Sequence, residues 1–496
     1  MSRTGAMHGF AIRSAVRPVP WPADVEAVFA PLADRRNPVW LDSAAGPPHL
    51  ARWSVLAAEP SAVLVHQGDV TRLLEPGGRV RMEVAHDPFA ALREALAAVR
   101  IEAAGAAGTL PFGPGLYGYF AYDLGTYVEP TSGLSPRRDI ALPELWLGLY
   151  ETVLVLDHRD EQAYLVGADG PPAAVLRRAL HVSRGACPAR GSCPPDVRDA
   201  GCVTCNFTRD GYLAAVARAR DYIAAGDIFQ VNLSRRLTVA REPRTDRPGH
   251  AYQRPSDLYL RLRRYNPAPY AAYVGLGQGR AVLSSSPELF LDLAGGRVVT
   301  RPIKGTRPRQ PEGGTGAPAF NRRMADALLA ADKDKAELVM IVDLERNDIG
   351  RVCSYGTVRV TEPRALEAYA AVFHTVATVE GRLHPGRDVT DLVKATFPGG
   401  SITGAPKVRA MQIIAQLEPT RRSVYTGAIG YVAPPTDDEP AGRCALNIVI
   451  RTLLTAGPKV HLQVGGGVVA DSEPEAEFDE TNDKARALLA ALGLTA

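Results

Sequence analysis

Two long apolar stretches, interrupted by tight glycine and proline turns, constrain the fold of this chain most strongly. They are AVLSSSPELFLDL at 281–293 and ALNIVIRTLLTAGPKVHLQVGGGVVA at 445–470. Short turns join antiparallel strands, whereas parallel strands need long crossover connections. Helical segments such as PFAALREALAAVR at 88–100 are mixed irregularly with the strands. The pattern therefore predicts an α+β or mixed α/β fold with antiparallel sheets.

Charge and hydropathy exclude several classes of partner. The chain has 496 residues and a net charge of +3, from 57 Lys and Arg against 54 Asp and Glu. Proteins that bind nucleic acid or an acidic membrane surface usually carry a basic excess or a basic run. The sequence has no uninterrupted apolar run of eighteen residues and no signal-peptide pattern. We therefore expect a cytoplasmic protein that has no nucleic acid or membrane as a partner.

A segment rich in glycine, proline and cysteine predicts the domain boundary at 186–206. It holds four of the six cysteines, Cys187, Cys193, Cys202 and Cys205. The last two have the C-x-x-C spacing of a zinc half-site, but the first two are too far apart for a standard knuckle, which favours a linker over a metal site. We expect an N-terminal region at 1–185 and a C-terminal region at 207–496. The latter opens with a helix that Thr208 caps and Gly226 ends.

Two predicted helices each place a pair of carboxylates three residues apart on one face. The pairs are Asp334 with Glu337, and Glu477 with Glu480. Acids in a first helical turn also suit the helix dipole without any ligand, and Ser472 with Glu475 has the spacing of a capping box. Pairs from two separate helices can instead converge on Mg2+, which takes few protein carboxylates. The spacing alone leaves both interpretations open.

Glycine turns precede two of the predicted helices. FPGGSITGAPKVRAM at 397–411 places Ser401 and Lys407 at a helix entrance, where free backbone N–H groups favour an anion. The segment does not fit a phosphate-binding loop, because Ala and Pro follow Gly404 where that motif requires Lys and Ser or Thr. A second turn at 465–467 lets the backbone approach a ligand closely.

The segment TRPIKGTRPR at 300–309 holds a lysine at a tight bend. Pro302 fixes the backbone before Lys304, and Gly305 frees the backbone after it. The lysine is then a nucleophile, an anion clamp or a solvated surface charge, and the residue types alone do not decide. Three further single residues lie in strand-like runs or turns without metal spacing or triad order: Glu288, His374 and Arg451.

Taken in order, nine segments of the chain resemble one family. They are GDIFQVNLSRR, SSSPELFL, TRPIKGTRPR, DKDKAELVMIVDLERNDIGRV, VFHTVATVEG, PGGSITGAPKVRAMQII, YTGAIGY, NIVIRT and GGGVVADSEPEAEFDETNDKA. Together they resemble the chorismate-utilising enzymes, over about residues 205 to 490. The resemblance implies two antiparallel sheets forming a sandwich core with helices packed outside, and a C-terminal region that binds chorismate.

The resemblance also implies a role for each matching position. Glu337 and Glu480 would hold Mg2+, with Asp334 and Glu477 as outer partners, and the metal would bind the ring carboxylate of chorismate. Arg451 and Tyr425 would grip the enolpyruvyl carboxylate. The pocket would be lined by Gly305, Thr306, Ser401 and Gly467, with His374 as a catalytic residue beside the ring. Lys407, from its place at the helix entrance, is a further expected substrate-binding residue.

Two positions separate the activities within the family. The stretch PIKGT resembles aminodeoxychorismate synthases, whereas PIAGT is typical of anthranilate synthases. The resemblance implies that Lys304 attacks ring C2 and expels the C4 hydroxyl, which Glu288 protonates, before ammonia adds at C4. Gln230 stands where isochorismate and salicylate synthases have a lysine that activates water. This chain therefore lacks the base that those two reactions need.

The source of ammonia lies outside this sequence. It contains no glutaminase signature, so the resemblance implies a separate glutamine amidotransferase subunit as partner. Segments WLDS at 40–43 and NPAPYAAY at 266–273 correspond loosely to a tryptophan pocket, which makes tryptophan a candidate ligand. Two alternatives stay open: anthranilate synthase component I activity, and a non-catalytic relative that binds tryptophan or a partner.

Overall fold

Strands and helices alternate irregularly along the chain. The computed structural model describes residues 9–43, 45–103, 110–135, 137–185, 203–241, 253–311 and 316–494. The strands are β1 Phe10–Val19, β2 Val39–Asp42, β3 Trp53–Ala57, β4 Ala62–Gln67, β5 Val70–Leu74, β6 Val80–Ala85, β7 Val99–Ala103, β8 Gly115–Phe120, β9 Leu145–Tyr150, β10 Thr152–Asp157, β11 Gln162–Gly167, β12 Val203–Cys205, β13 Gln230–Ala240, β14 Tyr270–Gly277, β15 Arg280–Ser286, β16 Leu289–Ala294, β17 Arg297–Arg301, β18 Ile303–Pro308, β19 Arg359–Ala368, β20 Val372–Arg382, β21 Gly404–Ala405, β22 Ala428–Ala433, β23 Arg443–Ile448, β24 Thr452–Ala456 and β25 Lys459–Val468. The helices are α1 Val25–Leu32, α2 Pro88–Ala97, α3 Gly125–Val128, α4 Pro171–Gly185, α5 Arg209–Ala224, α6 Pro255–Tyr265, α7 Ala317–Leu329, α8 Asp332–Gly350, α9 Val389–Thr396, α10 Lys407–Leu417 and α11 Pro474–Ala491.

These strands form two large sheets. The first sheet has the order β12-β13-β25-β24-β15-β14-β2-β3-β10-β11-β1-β7, with β21 beside β13. The second has the order β18-β20-β17-β16-β23-β22-β8-β9-β4-β5-β6, with β19 beside β20. The neighbours pair antiparallel along both sheets, apart from β1 with β7, which is parallel. The predicted antiparallel sheets are confirmed.

The two sheets pack face to face, with helices outside. Val55 and Val153 of the first sheet share a buried cluster with Tyr117, Ile429 and Tyr431 of the second. Helices α1, α4, α6 and α11 cover the outer face of the first sheet. Helices α2, α8, α9 and α10 cover that of the second. This arrangement is the sandwich that the resemblance implies.

Central strands are buried on both faces, which explains their continuous apolar sequences. β8 (GLYGYF), β9 (LWLGLY) and β10 (TVLVLD) are buried at every position. In β8, Tyr117 and Tyr119 contact the first sheet, whereas Leu116 and Phe120 contact the helices. One face meets the other sheet and the opposite face meets a helix layer, so no position is left for an alternating polar residue.

Each of the two opening sequence stretches is divided between the sheets. β15 lies in the first sheet and β16 in the second, while β23 lies in the second and β24 in the first. Each pairs antiparallel with other neighbours, as β24 does with β25. Glu288 and Arg451 therefore lie where the chain crosses between sheets. The Ile448 N–H donates to the Glu288 carbonyl, and the Ser285 N–H donates to the Arg451 carbonyl, both at 3.1 Å.

One predicted helix cap is confirmed and another is wrong. At α5 the Thr208 side chain accepts a hydrogen bond from the Gly211 N–H at 3.1 Å, as predicted. At α11 the N-cap is Glu473 and no side chain caps the helix, so the predicted capping box of Ser472 with Glu475 is absent. The Ser472 hydroxyl instead donates to Glu477 at 2.7 Å, because that buried carboxylate needs a donor.

The regions before and after the predicted boundary contribute strands to both sheets. In the first sheet, β1 to β3 lie with β13 to β15, and in the second, β8 lies beside β22. Most of the predicted linker, with Cys187, Cys193 and Cys202, lies outside the described residues. Cys205 ends β12 with an exposed side chain. Within the described ranges, no helix is long and apolar enough to cross a membrane.

Candidate active site

Lys304 projects from β18 at the edge of the second sheet. β18 pairs with β20, and the pairing is irregular between Lys304 and Thr306, where Gly305 has φ 81°. A Cβ at Gly305 would lie 3.0 Å from the Asp334 Cγ, so β18 and α8 approach closely here. Lys304 Nζ lies 3.5 Å from the Ser401 carbonyl oxygen. The bend predicted from Gly305 is present, and it turns Lys304 towards the glycine-rich segment at 397–411.

Glu288 is the buried acid beside this lysine. It is 5% exposed at the crossing between β15 and β16. Burial raises the pKa of its carboxyl to about 7, although the Lys304 ammonium and the Ser401 side chain favour its charged form. A group that holds its proton near neutral pH suits general acid chemistry.

Two acids of α11, Glu477 and Glu480, lie against the glycine turn at 465–467. A Cβ at Gly466 would lie 2.8 Å from Glu477 Oε2 and 3.7 Å from Glu480 Oε1. Burial raises the pKa of Glu477. Burial also acts to raise that of Glu480, but the Lys484 ammonium at 2.5 Å outweighs it, so the pKa of Glu480 is lowered. The predicted shared face of the two glutamates is confirmed.

The acids of α8 face the same space. Burial raises the pKa of Glu337, Lys304 opposes that shift, and Asp334 and Glu480 add to it by their negative charge. The two acidic helices therefore act on each other electrostatically. Asp334 is already paired, because Arg307 lies 3.1 Å from its Oδ2.

These acids fit a cation that takes few protein ligands. Glu477 Oε2 is buried and has no hydrogen-bond partner in the protein. Among the described residues, no group of three or more His, Cys, Asp and Glu forms a complete metal site. Mg2+ is commonly bound by one or two carboxylates together with substrate and water. The donor set is therefore compatible with Mg2+.

Positive groups lie across from the acids. Arg451 has φ 53°, and its guanidinium donates to the Lys484 carbonyl at 3.1 Å. Burial lowers the pKa of Arg451. Burial also lowers the pKa of Lys484, and the positive charges of Arg451 and Lys304 lower it further. Burial raises the pKa of Tyr425 to about 12, so its hydroxyl keeps its proton. The three cations Lys304, Arg451 and Lys484 thus share one region.

His374 is neutral and has a fixed orientation. Its Nδ1 lies 3.1 Å from the Thr306 hydroxyl and 3.3 Å from the Gly305 carbonyl. Because a carbonyl only accepts, that contact places the proton on Nδ1 and leaves the Nε2 lone pair free of it. Burial lowers the pKa of His374 to about 4. Its ring packs edge-on against Tyr369 with centroids 4.9 Å apart.

Gln230 and Ser401 lie beside the glycine turn at 465–467. A Cβ at Gly467 would overlap the Gln230 side-chain amide. That amide is fully buried, and both of its polar atoms lack a hydrogen-bond partner in the protein. The Ser401 carbonyl accepts from Asn232 Nδ2 at 2.9 Å. An unpaired buried amide costs about 1–3 kcal/mol unless a ligand or water satisfies it, so its place here favours a binding site.

Lys407 forms its polar contacts elsewhere. Its Nζ lies 2.5 Å from Asp348 Oδ2 and 2.8 Å from the Thr396 carbonyl. The Lys407 ammonium is therefore held in a buried ion pair between α8 and α10, whereas Ser401 and His374 contact β18 around Lys304.

Sequence reasoning missed Lys484. Its Nζ contacts Glu480 at 2.5 Å and the Gly465 carbonyl at 2.7 Å, so it links the acidic helix to the glycine turn. The signal was available in the sequence, because Glu480 and Lys484 have the i, i+4 spacing of a helical ion pair.

The fold and the site together indicate an enzyme with a small anionic substrate. A partly buried lysine, a protonated acid and separate sets of anionic and cationic groups meet where the chain crosses between two stacked sheets, which suits a small substrate with more than one carboxylate. The chain belongs to the chorismate binding enzyme family, whose sequence pattern matches residues 36–490. It is therefore an enzyme that acts on chorismate.

Relatives with two different activities resemble this chain to a similar degree. Anthranilate synthase component 1 of Streptomyces coelicolor is 41% identical, over 82% of this chain and 77% of the relative. Aminodeoxychorismate synthase component 1 of Bacillus subtilis is 37% identical, over 93% of both chains. The crystal structure of anthranilate synthase component I from Streptococcus pneumoniae superposes with a TM-score of 0.72 at 31% identity, covering 88% of this chain and 92% of that one.

The two segments predicted to form a tryptophan pocket lie in contact. β2 pairs with β14, with Asp42 opposite Ala271. The Ser43 hydroxyl donates to the Pro269 carbonyl at 3.0 Å. The segments therefore meet as one surface, and tryptophan binding stays a prediction.

Proposed function

We propose that this chain is aminodeoxychorismate synthase component I, which converts chorismate and ammonia to 4-amino-4-deoxychorismate. Lys304 carries the proposal, because its amine lies among Ser401, Glu288 and Glu337 and not in open solvent. Overall identity does not choose between the two activities of the relatives. The rival activity, formation of anthranilate and pyruvate, has the support of a relative that is 41% identical.

The proposed chemistry has two displacement steps at the ring. Lys304, as the neutral amine, attacks C2, both double bonds of the ring diene shift by one position, and the C4 hydroxyl leaves as water with the proton of Glu288. The lysine nitrogen then returns a proton to the Glu288 carboxylate. Ammonia bonds to C4, both double bonds shift back, and the bond between C2 and the lysine nitrogen breaks as Glu288 protonates that nitrogen. The new ammonium at C4 gives one proton back to Glu288, which leaves the enzyme as it began. The sum is chorismate plus ammonia giving aminodeoxychorismate plus water.

The remaining residues hold the substrate in this proposal. Glu337 and Glu480 would hold Mg2+, with Asp334 and Glu477 acting through water. When bound, this ion would neutralise the ring carboxylate and withdraw electrons from the ring. Arg451 and Tyr425 receive the enolpyruvyl carboxylate, and neutral His374 lies beside the ring. The backbone at Gly305, Thr306, Ser401 and Gly467 lines the pocket.

Ammonia would come from a separate glutamine amidotransferase subunit. At neutral pH most free ammonia is ammonium, which has no lone pair for the attack on C4. A partner that releases ammonia beside this chain would remove that limit. High ammonium at mildly alkaline pH should replace the partner in vitro.

The test incubates the purified chain with chorismate, Mg2+ and excess ammonium at mildly alkaline pH, and identifies the product by mass spectrometry. We expect aminodeoxychorismate from the wild type and its loss in Lys304→Ala. Lys335→Ala is the matched control, because Lys335 is an exposed lysine on α8. Anthranilate with release of pyruvate would instead establish the rival activity. Loss of product in both lysine variants would show that the effect is not specific to Lys304.

A further inference from the structure

Arg307 is a charged residue of β18 that has no role in the proposed chemistry, and it lies against one of the candidate metal acids. Its Nη2 lies 3.1 Å from Asp334 Oδ2, and its side chain is 33% exposed. Its Nη1 donates to the Thr306 carbonyl at 2.9 Å. These two contacts hold the guanidinium between the edge strand β18 and helix α8.

Asp334 is packed tightly in this position. Its side chain is 19% exposed, and a Cβ added at Gly305 would lie 3.1 Å from the Asp334 Cβ, so the acid rests on the backbone of β18. Its Oδ2 is buried and accepts no hydrogen bond, so the contact with Arg307 is an ion pair without hydrogen-bond geometry. Such a pair is weaker than a bidentate arginine–carboxylate pair. Asp334 can therefore exchange the arginine for another cation.

The four candidate metal acids differ in their partners. Two of them already have a protein cation, in the pairs Asp334 with Arg307 at 3.1 Å and Glu480 with Lys484 at 2.5 Å. Within the described ranges, Glu337 forms no hydrogen bond or ion pair. Glu477 keeps one buried oxygen, Oε2, without a hydrogen-bond partner. Two acids without a protein cation match the one or two carboxylates that Mg2+ commonly takes.

The two protein cations also balance the charge of these acids. Four carboxylates around a divalent ion would leave an excess negative charge, which repels a substrate carboxylate. Arg307 and Lys484 supply two positive charges that cancel this excess. Lys484 comes from the same helix as Glu480, whereas Arg307 comes from a different element than its acid. The contact of Arg307 therefore exists only because β18 and α8 pack together.

We propose that Arg307 sets the metal affinity of the candidate site by holding Asp334 as its counter-ion. The inference rests on the proposed function, in which the ring carboxylate of chorismate binds at the metal. With Asp334 held by Arg307, fewer carboxylate charges face the ion, and metal binding without substrate stays weak because affinity depends on the number of ligand charges. The substrate carboxylate supplies the missing charge, so metal affinity and substrate affinity are coupled.

The Arg307→Gln variant tests this role by titration with Mn2+, which takes the same kinds of oxygen ligand as Mg2+. Electron paramagnetic resonance measures free Mn2+ in the presence of the purified chain without chorismate. We expect Arg307→Gln to bind Mn2+ about tenfold more tightly than the wild type, because the Asp334 charge becomes available to the ion. At saturating Mg2+, the KM for chorismate should rise, because the excess negative charge repels the substrate.

Three further variants separate the counter-ion role from other effects. In Asp334→Asn, which has no charge for Arg307 to hold, adding Arg307→Gln should change the Mn2+ affinity by less than about twofold. Arg307→Lys keeps the charge and should retain the wild-type affinity. Arg346→Gln is the matched control and should also bind Mn2+ as the wild type does, because Arg346 is an exposed arginine of α8 that pairs with Asp343 at 2.8 Å.

Three results would overturn the inference. The first is an unchanged or weaker Mn2+ affinity in Arg307→Gln, and the second is the absence of Mn2+ binding in both proteins. The third is an equal gain with Asp334 and with Asn at position 334, which would mean that Arg307 acts on the whole site and not through Asp334. If Arg307→Gln does not fold, Arg307→Lys decides, since a tenfold gain in that variant would contradict the role of the charge. Formation of anthranilate would refute the proposed function but leave the Mn2+ titration unaffected, so the two failures are distinguishable.

Discussion

Replacing Lys407 with methionine tests whether this lysine binds substrate or stabilises the fold. Its side chain is 7% exposed and that of Asp348 is 6% exposed, with Nζ and Oδ2 2.5 Å apart. Methionine fills a similar volume but leaves the Asp348 carboxylate without this partner. Removing one member of a buried ion pair costs about 3–5 kcal/mol. Arg351 lies 3.7 Å from the other oxygen of Asp348, so we expect the lower end, about 3 kcal/mol.

Urea unfolding measures this loss. The free energy of unfolding of Lys407→Met should be lower than that of the wild type at pH 7, and the difference should shrink at pH 5. The pKa of Asp348 is already raised by burial, with Lys407 opposing that shift, so removal of the lysine raises it more and the acid becomes neutral as the pH falls. The double variant Lys407→Met with Asp348→Asn, which removes both charges, should recover most of the loss.

A substrate role for Lys407 makes the opposite prediction. The free energy of unfolding of the variant would then equal that of the wild type to within about 0.5 kcal/mol, while its KM for chorismate would rise. That outcome would refute the structural interpretation of the ion pair, and it would support the expectation drawn from the helix entrance in the sequence.

Two further predictions concern acid stability and the glycine turn. His66, His374 and His461 have pKa values lowered by burial from 6.5 to about 4, so the contribution of each to stability is full above pH 6.5 and is lost as the pH falls, by about 2 kcal/mol at pH 5. Buried acids such as Glu288, whose pKa is raised to about 7, contribute in the opposite direction, so urea unfolding at pH 7 and pH 5 compares the wild type with His461→Gln. The difference in free energy of unfolding between the two should change by about 2 kcal/mol, and a difference that does not change with pH would contradict the prediction. Gly467→Ala should lower turnover, because the added methyl group would displace the Gln230 amide at the end of a flexible side chain. Gly350→Ala, whose added Cβ has no atom within 4 Å outside its own helix backbone, should retain wild-type turnover, and equal activity of the two variants would refute the steric argument.

Local sequence patterns predicted the elements of the fold but not which sheet each strand joins. The Thr208 cap and the antiparallel strands follow from nearby residues, and they are confirmed. The division of β15 and β16 between two sheets depends on partners far away in the chain, such as β24 and β23. The Ser472 cap was wrong for a similar reason, since the hydroxyl is used by a buried carboxylate whose burial depends on the whole fold.

Some features of the candidate site follow from nearby residues in the sequence, and others arise only from the whole fold. The spacing of Glu477 and Glu480, and the bend at Gly305, are local features that a sequence displays. The pairing of Lys407 with Asp348 joins residues 59 positions apart, so no local pattern predicts it. Likewise, the hydrogen bond from Thr300 to Glu345 forms only when α8 packs on the second sheet.

The two sheet crossings explain why the site holds Glu288 and Arg451 in fixed positions. Backbone hydrogen bonds of 3.1 Å tie each crossing to a neighbouring strand, through the carbonyls of Glu288 and Arg451. Moving either residue would require a change in the register of a central buried strand, which breaks several hydrogen bonds at once. Lys304 lies instead on β18, an edge strand with an irregular pairing. A substitution at that position leaves the central strands intact, so residue 304 can change while Glu288 and Arg451 stay in place.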